Sequence, residues 1–100
     1  MAVIPEISRM KISDENKHNL ELFKRSLQLK GRKENTIRSY LVHALPFLKE
    51  HPDFINVTKD ELEDYYLKIV KEKSKHTVWD EILSLKVLGK CVRPDDVEDL

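Results

Sequence analysis

The chain has one cysteine, two glycines, four prolines and no net charge in 100 residues. A single cysteine, Cys91, excludes an internal disulfide and cannot hold a structural zinc ion without histidine or carboxylate help. It fits a reducing, intracellular setting and reads as a small buried hydrophobe near a helix end. So few glycines and prolines exclude a loop-rich or low-complexity chain. Gly31 and Gly89 stand alone, so no Gly-rich phosphate loop is present. No apolar run approaches the ~20 residues that span a bilayer. The opening MAVIPEISRMKIS lacks the apolar stretch of a secretory signal. A cytoplasmic protein with no membrane partner is therefore expected. His18, His43, His51 and His76 do not fall at metal-ligand spacing, and no serine–histidine arrangement suggests an activated nucleophile. No catalytic residue, metal or cofactor is expected in this stretch.

What is present is helical pattern and uneven charge. Residues 1–50 hold ten Lys/Arg against six Asp/Glu, and residues 51–100 hold eight against twelve. Lys24 to Arg38 contains six bases and one acid, Glu34; Lys68 to Lys75 contains four bases and one acid, Glu72. A neutral total therefore leaves room for a local basic face able to steer an anionic partner.

Four helices and no strand are expected, joined by short connections in one all-α bundle. The first spans about Ser13 to Lys30, capped by Ser13, with Leu20, Phe23 and Leu27 inward and Gly31 just past its end. The second spans Lys33 or Glu34 to Glu50, with a stripe of Ile37, Leu41, Ala44 and Leu48. Pro46 should kink it or end its regular part. The third spans about Thr58 to Lys73. Thr58 and Glu61 make a capping box, Val57 and Leu62 a hydrophobic staple, and Leu62, Tyr65, Tyr66, Ile69 and Val70 the buried face. The acidic run Asp60 to Asp64 reads as its solvated first turn. The fourth spans His76 or Thr77 to Leu88, ending near Gly89, with Val78, Ile82, Leu85 and Leu88 inward. Trp79 and Tyr65 read as core edges rather than stacking platforms.

The second helix has a distinct outer face of Asn35, Arg38, Ser39, Val42 and His43, preceded by Arg32 and Lys33. Free N–H groups at a helix start, joined by the Thr36 hydroxyl, Lys33 and Arg38, suit a phosphate. Asn and Arg further along suit base edges in a major groove. On composition alone the plainer reading is a solvated helix face. Ser74-Lys75-His76-Thr77 repeats the theme before the fourth helix, and Lys86 lies further along it. His76 and Asp80, four apart, read as a surface hydrogen bond.

The run LELFKRSLQLKGRKENTIRSYLVHALPFLKE resembles the N-terminal, core-binding domain of tyrosine recombinases, the phage-integrase and Xer-like family. The resemblance rests on Phe23 to Leu27, the Gly31 turn, Asn35-Thr36-Ile37-Arg38-Ser39-Tyr40 with Leu45 and Phe47-Leu48, and a second Thr-apolar start at Thr77-Val78 followed by Leu85-Lys86. It covers about Ser13 to Gly89. It implies a four-helix, SAM-like orthogonal bundle at residues 13–90. An N-terminal arm at 1–12 would precede it, and the start of a linker toward a catalytic domain at 91–100 would follow. The implied function is DNA integration or recombination, this domain clamping double-stranded DNA through its second and fourth helices, with other recombinase protomers as further partners and a nucleoid-associated location when bound. Thr36 and Thr77 become implied phosphate contacts. Arg38, Ser39 and His43 become groove-facing residues, and Lys86 a DNA-side base. Arg32, Lys33, Asn35, Lys75 and His76 join them by position. The recombinase arginines, histidine and nucleophilic tyrosine would lie in the C-terminal domain. Lys33-Glu34 stands where the family often has a serine cap, which leaves the second helix without a side-chain cap. The alternative is a helical protein–protein interaction domain with no nucleic-acid role, its basic and acidic halves pairing head to tail between copies.

Overall fold

The computed structural model describes residues 4–93, and within them the chain is helical throughout: a 3-10 turn at Ile7–Arg9, α1 (Asp14–Leu29), α2 (Glu34–Glu50), a second 3-10 turn at Phe54–Asn56, α3 (Lys59–Glu72) and α4 (Lys75–Val92). No strand occurs among the described residues, so the expected all-α bundle of four helices is the architecture found. None of these helices is long and apolar enough to cross a membrane.

The helix boundaries follow from local chemistry. Ser13 Oγ accepts the Asn16 N–H at 3.1 Å and donates to the Pro52 carbonyl at 2.6 Å, so one hydroxyl caps α1 and ties it to the chain leaving α2. α1 ends in a paired-bond motif: Arg32 N–H donates to the Leu27 carbonyl and Gly31 N–H to the Gln28 carbonyl, each at 3.0 Å. Gly31 sits at φ 72° with open space around its Cα, so the backbone angle alone calls for glycine. Lys33 caps α2 without a side-chain bond, as expected. The α3 capping box is complete, with Thr58 and Glu61 bonding each other's backbone N–H, and Val57 and Leu62 are both buried beside it.

Several expectations need correction. α2 does not end at Pro46 but runs through it to Glu50. The carbonyl that Pro46 leaves without its helical donor is that of Val42, and both residues are half-buried. α4 starts at Lys75, capped by Ser74, and continues past Gly89 to Val92; Gly89 is a buried packing position within it. Val70 is 59 % exposed and Trp79 64 % exposed, so neither belongs to the core. Of the stretch expected as an arm, the described part packs on the bundle: Ile7 is 2 % exposed, and Ile4, Met10 and Ile12 lie against the same core, as do Cys91 and Val92 at the other end. Residues 94–100, most of the expected linker, lie outside the described residues.

The core joins Leu20, Phe23 and Leu27 of α1, Ile37, Leu41, Ala44, Phe47 and Leu48 of α2, Phe54, the inner face of α3, and Val78, Leu85 and Leu88 of α4. Burying each such aliphatic or aromatic side chain stabilises the fold by about 1.5–3 kcal/mol. Phe47 stands at its centre, edge-on to Phe54 and Tyr65 and stacked on His51 at 4.2 Å. Two polar devices cross this core. Asn16, fully buried, donates through Nδ2 to the carbonyls of Leu48 and His51 and so closes the end of α2. Glu81, 1 % exposed, accepts from Tyr65 Oη and Lys73 Nζ and fastens α4 to α3. The most extensive helix contact in the bundle is between α2 and α4. It is this contact that positions the candidate site.

Candidate nucleic-acid interface

α2 and α4 begin alike. Counting from each N-cap, Lys33 and Ser74, the second helical position is Asn35 or His76 and the third is Thr36 or Thr77. The fourth, Ile37 or Val78, turns into the core in both. The same register that buries the aliphatic residue therefore holds the threonine at the helix start. The two starts differ in capping. In α2 the first intrahelical bond is from Ile37 N–H to the Lys33 carbonyl, at 3.0 Å. The N–H groups of Glu34, Asn35 and Thr36 precede it, and no side chain caps them. In α4 the Ser74 Oγ accepts the Thr77 N–H at 3.3 Å and donates to Thr77 Oγ1 at 3.0 Å, which leaves the Thr77 hydroxyl proton for an outside acceptor.

Between the helices lies a surface groove of about 290 Å³. α2 lines it with Asn35, Thr36, Ser39 and Tyr40; α4 lines it with Asp80, Leu83 and Ser84. Helical spacing puts Asn35 and Ser39 four apart on one wall, and Asp80 and Ser84 four apart on the other. Thr36 thus meets the second and third turns of α4, not its first. His43, further along α2, approaches the second turn of α4 at Asp80, which His76 of the first turn also approaches. His43 Nε2 lies 3.8 Å from Asp80 Oδ2, and His76 Nε2 lies 3.4 Å from the same oxygen. His43 Nδ1 lies 2.7 Å from the Ser39 carbonyl and 3.2 Å from Ser39 Oγ. A carbonyl can only accept, so Nδ1 carries a proton and Nε2 is the nitrogen turned to Asp80.

The expected site residues divide on this geometry. Asn35, Thr36 and Ser39 line the groove, and His43 and His76 bracket it through Asp80. Arg32, Lys33 and Arg38 are exposed at the start of α2 but outside the groove lining. Lys75 and Lys86 are eleven residues apart, three turns along one exposed crest of α4 that also carries Trp79 and Lys90. None of Arg32, Lys33, Arg38, Lys75 and Lys86 makes an ion pair among the described residues, so their charge is free for an outside anion. Thr77 is partly buried in its own cap.

Asp80, Tyr40, Leu83 and Ser84 were missed as site residues. The spacing of Asp80 from His76 and Ser84 on one helical stripe was legible; that this stripe faces α2 was not. No group of three His, Cys, Asp or Glu among the described residues is placed to hold a metal ion. Comparison of the chain with protein-family models, with curated proteins and with solved structures finds no match.

Proposed function

We propose that the chain is a DNA-binding domain of a tyrosine site-specific recombinase or integrase, a SAM-like orthogonal bundle that grips duplex DNA with α2 and α4. The observation that carries this reading is the pairing of those two helices. They make the bundle's most extensive contact, carry threonine at the same position of their first turn, and line one polar groove together. Phosphates would be held at the exposed helix starts by backbone N–H groups, Thr36, Thr77 and the bases Arg32, Lys33 and Lys75. The groove and Arg38 would face the bases. Cutting and rejoining would belong to a separate catalytic domain. Other protomers on the same DNA would be its protein partners, and the bound protein would sit on the nucleoid.

Titrating the labelled chain with duplex DNA at low salt tests this. Amide shifts should concentrate at residues 32–43 and 74–86. Shifts confined to the acidic start of α3, or none at low salt, overturn the proposal.

A second reading has one observation in its favour. Val70, Lys73, Lys75, Val78, Trp79 and Ile82 line an apolar groove between α3 and α4, with Val70 and Trp79 mostly exposed. A protein partner or a second copy could cover it. Salt-sensitive self-association in sedimentation, without DNA binding, would favour that reading.

A further inference from the structure

The groove between α2 and α4 contains no lysine or arginine, and its one charged group is a carboxylate, Asp80. Phosphate is repelled by such a group, so the groove is the wrong place for the DNA backbone even though bases stand around it. Asp80 is half-buried: its side chain is 27 % exposed, with His76 Nε2 at 3.4 Å and His43 Nε2 at 3.8 Å from Oδ2. No side chain or backbone group among the described residues donates a hydrogen bond to this carboxylate. An ionised carboxylate only accepts hydrogen bonds. The remaining polar groups of the groove are amide and hydroxyl groups that both donate and accept, on Asn35, Thr36, Ser39, Tyr40 and Ser84. The only hydrogen-bond donors on the major-groove edges of DNA are the amino groups of cytosine and adenine, and Asp or Glu pairs with that of cytosine.

We infer that Asp80 is a specificity-determining residue that accepts a hydrogen bond from a cytosine amino group, while the helix starts on either side hold the phosphates. The inference rests on the DNA-binding reading and adds what the groove reads.

The test selects bound duplexes from a pool with a randomised core, using the 100-residue chain and its Asp80→Asn and Asp80→Ala variants, each checked for wild-type melting. The wild type should prefer cytosine at one position. Asp80→Asn should move that preference to adenine, since an amide donates as well as accepts. Asp80→Ala should abolish the preference there while raising affinity for unrelated duplex. A second measurement needs no variant: replacing the selected cytosine by thymine, whose carbonyl offers no donor, should weaken wild-type binding about tenfold. Duplex binding with no base preference, or a preference unchanged in both variants, overturns the inference and leaves the DNA-binding reading standing. If the wild type binds no duplex at all, both fall.

Discussion

Lys73 and Tyr65 reach one carboxylate from α3, at 2.7 and 2.6 Å, and that carboxylate, Glu81, is 1 % exposed on α4. Removing one partner of a buried ion pair leaves an uncompensated charge, which costs more than removing the charge itself. Lys73 is 30 % exposed, so Lys73→Met should destabilise by less than the ~3–5 kcal/mol of a fully buried pair, but clearly. Glu81→Gln should cost less, because the amide still accepts from Tyr65 and Lys73, with its side chain 30 % exposed, retains water. Urea unfolding of the two variants checks the order, and the reverse order would show that the pair is not the fastening described. The tyrosines give a second test. Burial, then the Glu81 hydrogen bond, pushes the Tyr65 hydroxyl far above its usual range, and burial pushes Tyr66 up to about 12. A proton held more tightly in the folded state stabilises it fully below pH ~10, where unfolded tyrosine begins to ionise. That stabilisation is lost as pH rises through the folded value. The melting temperature should fall progressively above pH ~10, and the tyrosinate absorbance of the native chain should rise later than that of the urea-unfolded chain. Neither Glu81 nor its partners could be singled out from sequence, where Glu81 reads as one acid among many. Only the crossing of α3 over α4 brings Tyr65, sixteen residues away, to it.

At the scale of the helix, the start signals were legible because they are local. Ser13, Thr58 with Glu61, and Gly31 each act within four residues, and each does what its type and spacing imply. Helix ends were less legible where tertiary packing overrides local preference. Gly89 is a poor helix former, yet it lies buried within α4 and the helix runs on to Val92. Pro46 removes one hydrogen bond, yet α2 continues through it and buries Phe47 and Leu48. The outer face of α2 was also legible, since the 3.6-residue period that buries Ile37 and Leu41 exposes Asn35 and Ser39. Which face of α4 meets it was not, because that depends on the packing of two separate stripes. The bare cap at Lys33 offers a test of stability against function. Lys33→Asp supplies a side-chain acceptor for the N–H groups of the first turn and places a negative charge at the positive end of the helix dipole. It should raise stability by about 1 kcal/mol. If that start holds a phosphate, the same change should weaken DNA binding across all sequences. Greater stability with unchanged DNA affinity would remove the start of α2 from the interface.

At the scale of the molecule, zero net charge looks like an obstacle to binding a polyanion. The bundle measures 33 × 29 × 26 Å. At 0.15 M salt the screening length is about 8 Å, so an incoming phosphate responds to the charges within a turn or two of it rather than to the far side. What matters is the local count, and the start of α2 itself carries Arg32, Lys33 and Arg38 against one acid, Glu34. The carboxylates of α3, including Glu61 and Asp64, line other clefts of the surface with Glu50 and His51. Affinity built this way should be salt-dependent in proportion to the phosphates neutralised. Each base that meets a phosphate should contribute about one to the slope of log affinity against log salt. Replacing both Lys33 and Arg38 with alanine should lower that slope by up to about two and weaken binding to unrelated duplexes. It should move unfolding stability by less than ~0.5 kcal/mol, since both side chains are exposed and neither is in an ion pair. Fluorescence anisotropy across a salt series, beside a urea melt of the same variant, measures both. A slope that drops by one with an unchanged melt would mean that one of the two meets a phosphate, as expected if Arg38 faces the bases, and the two single variants would show which. An unchanged slope would mean that the basic start of α2 does not touch the backbone.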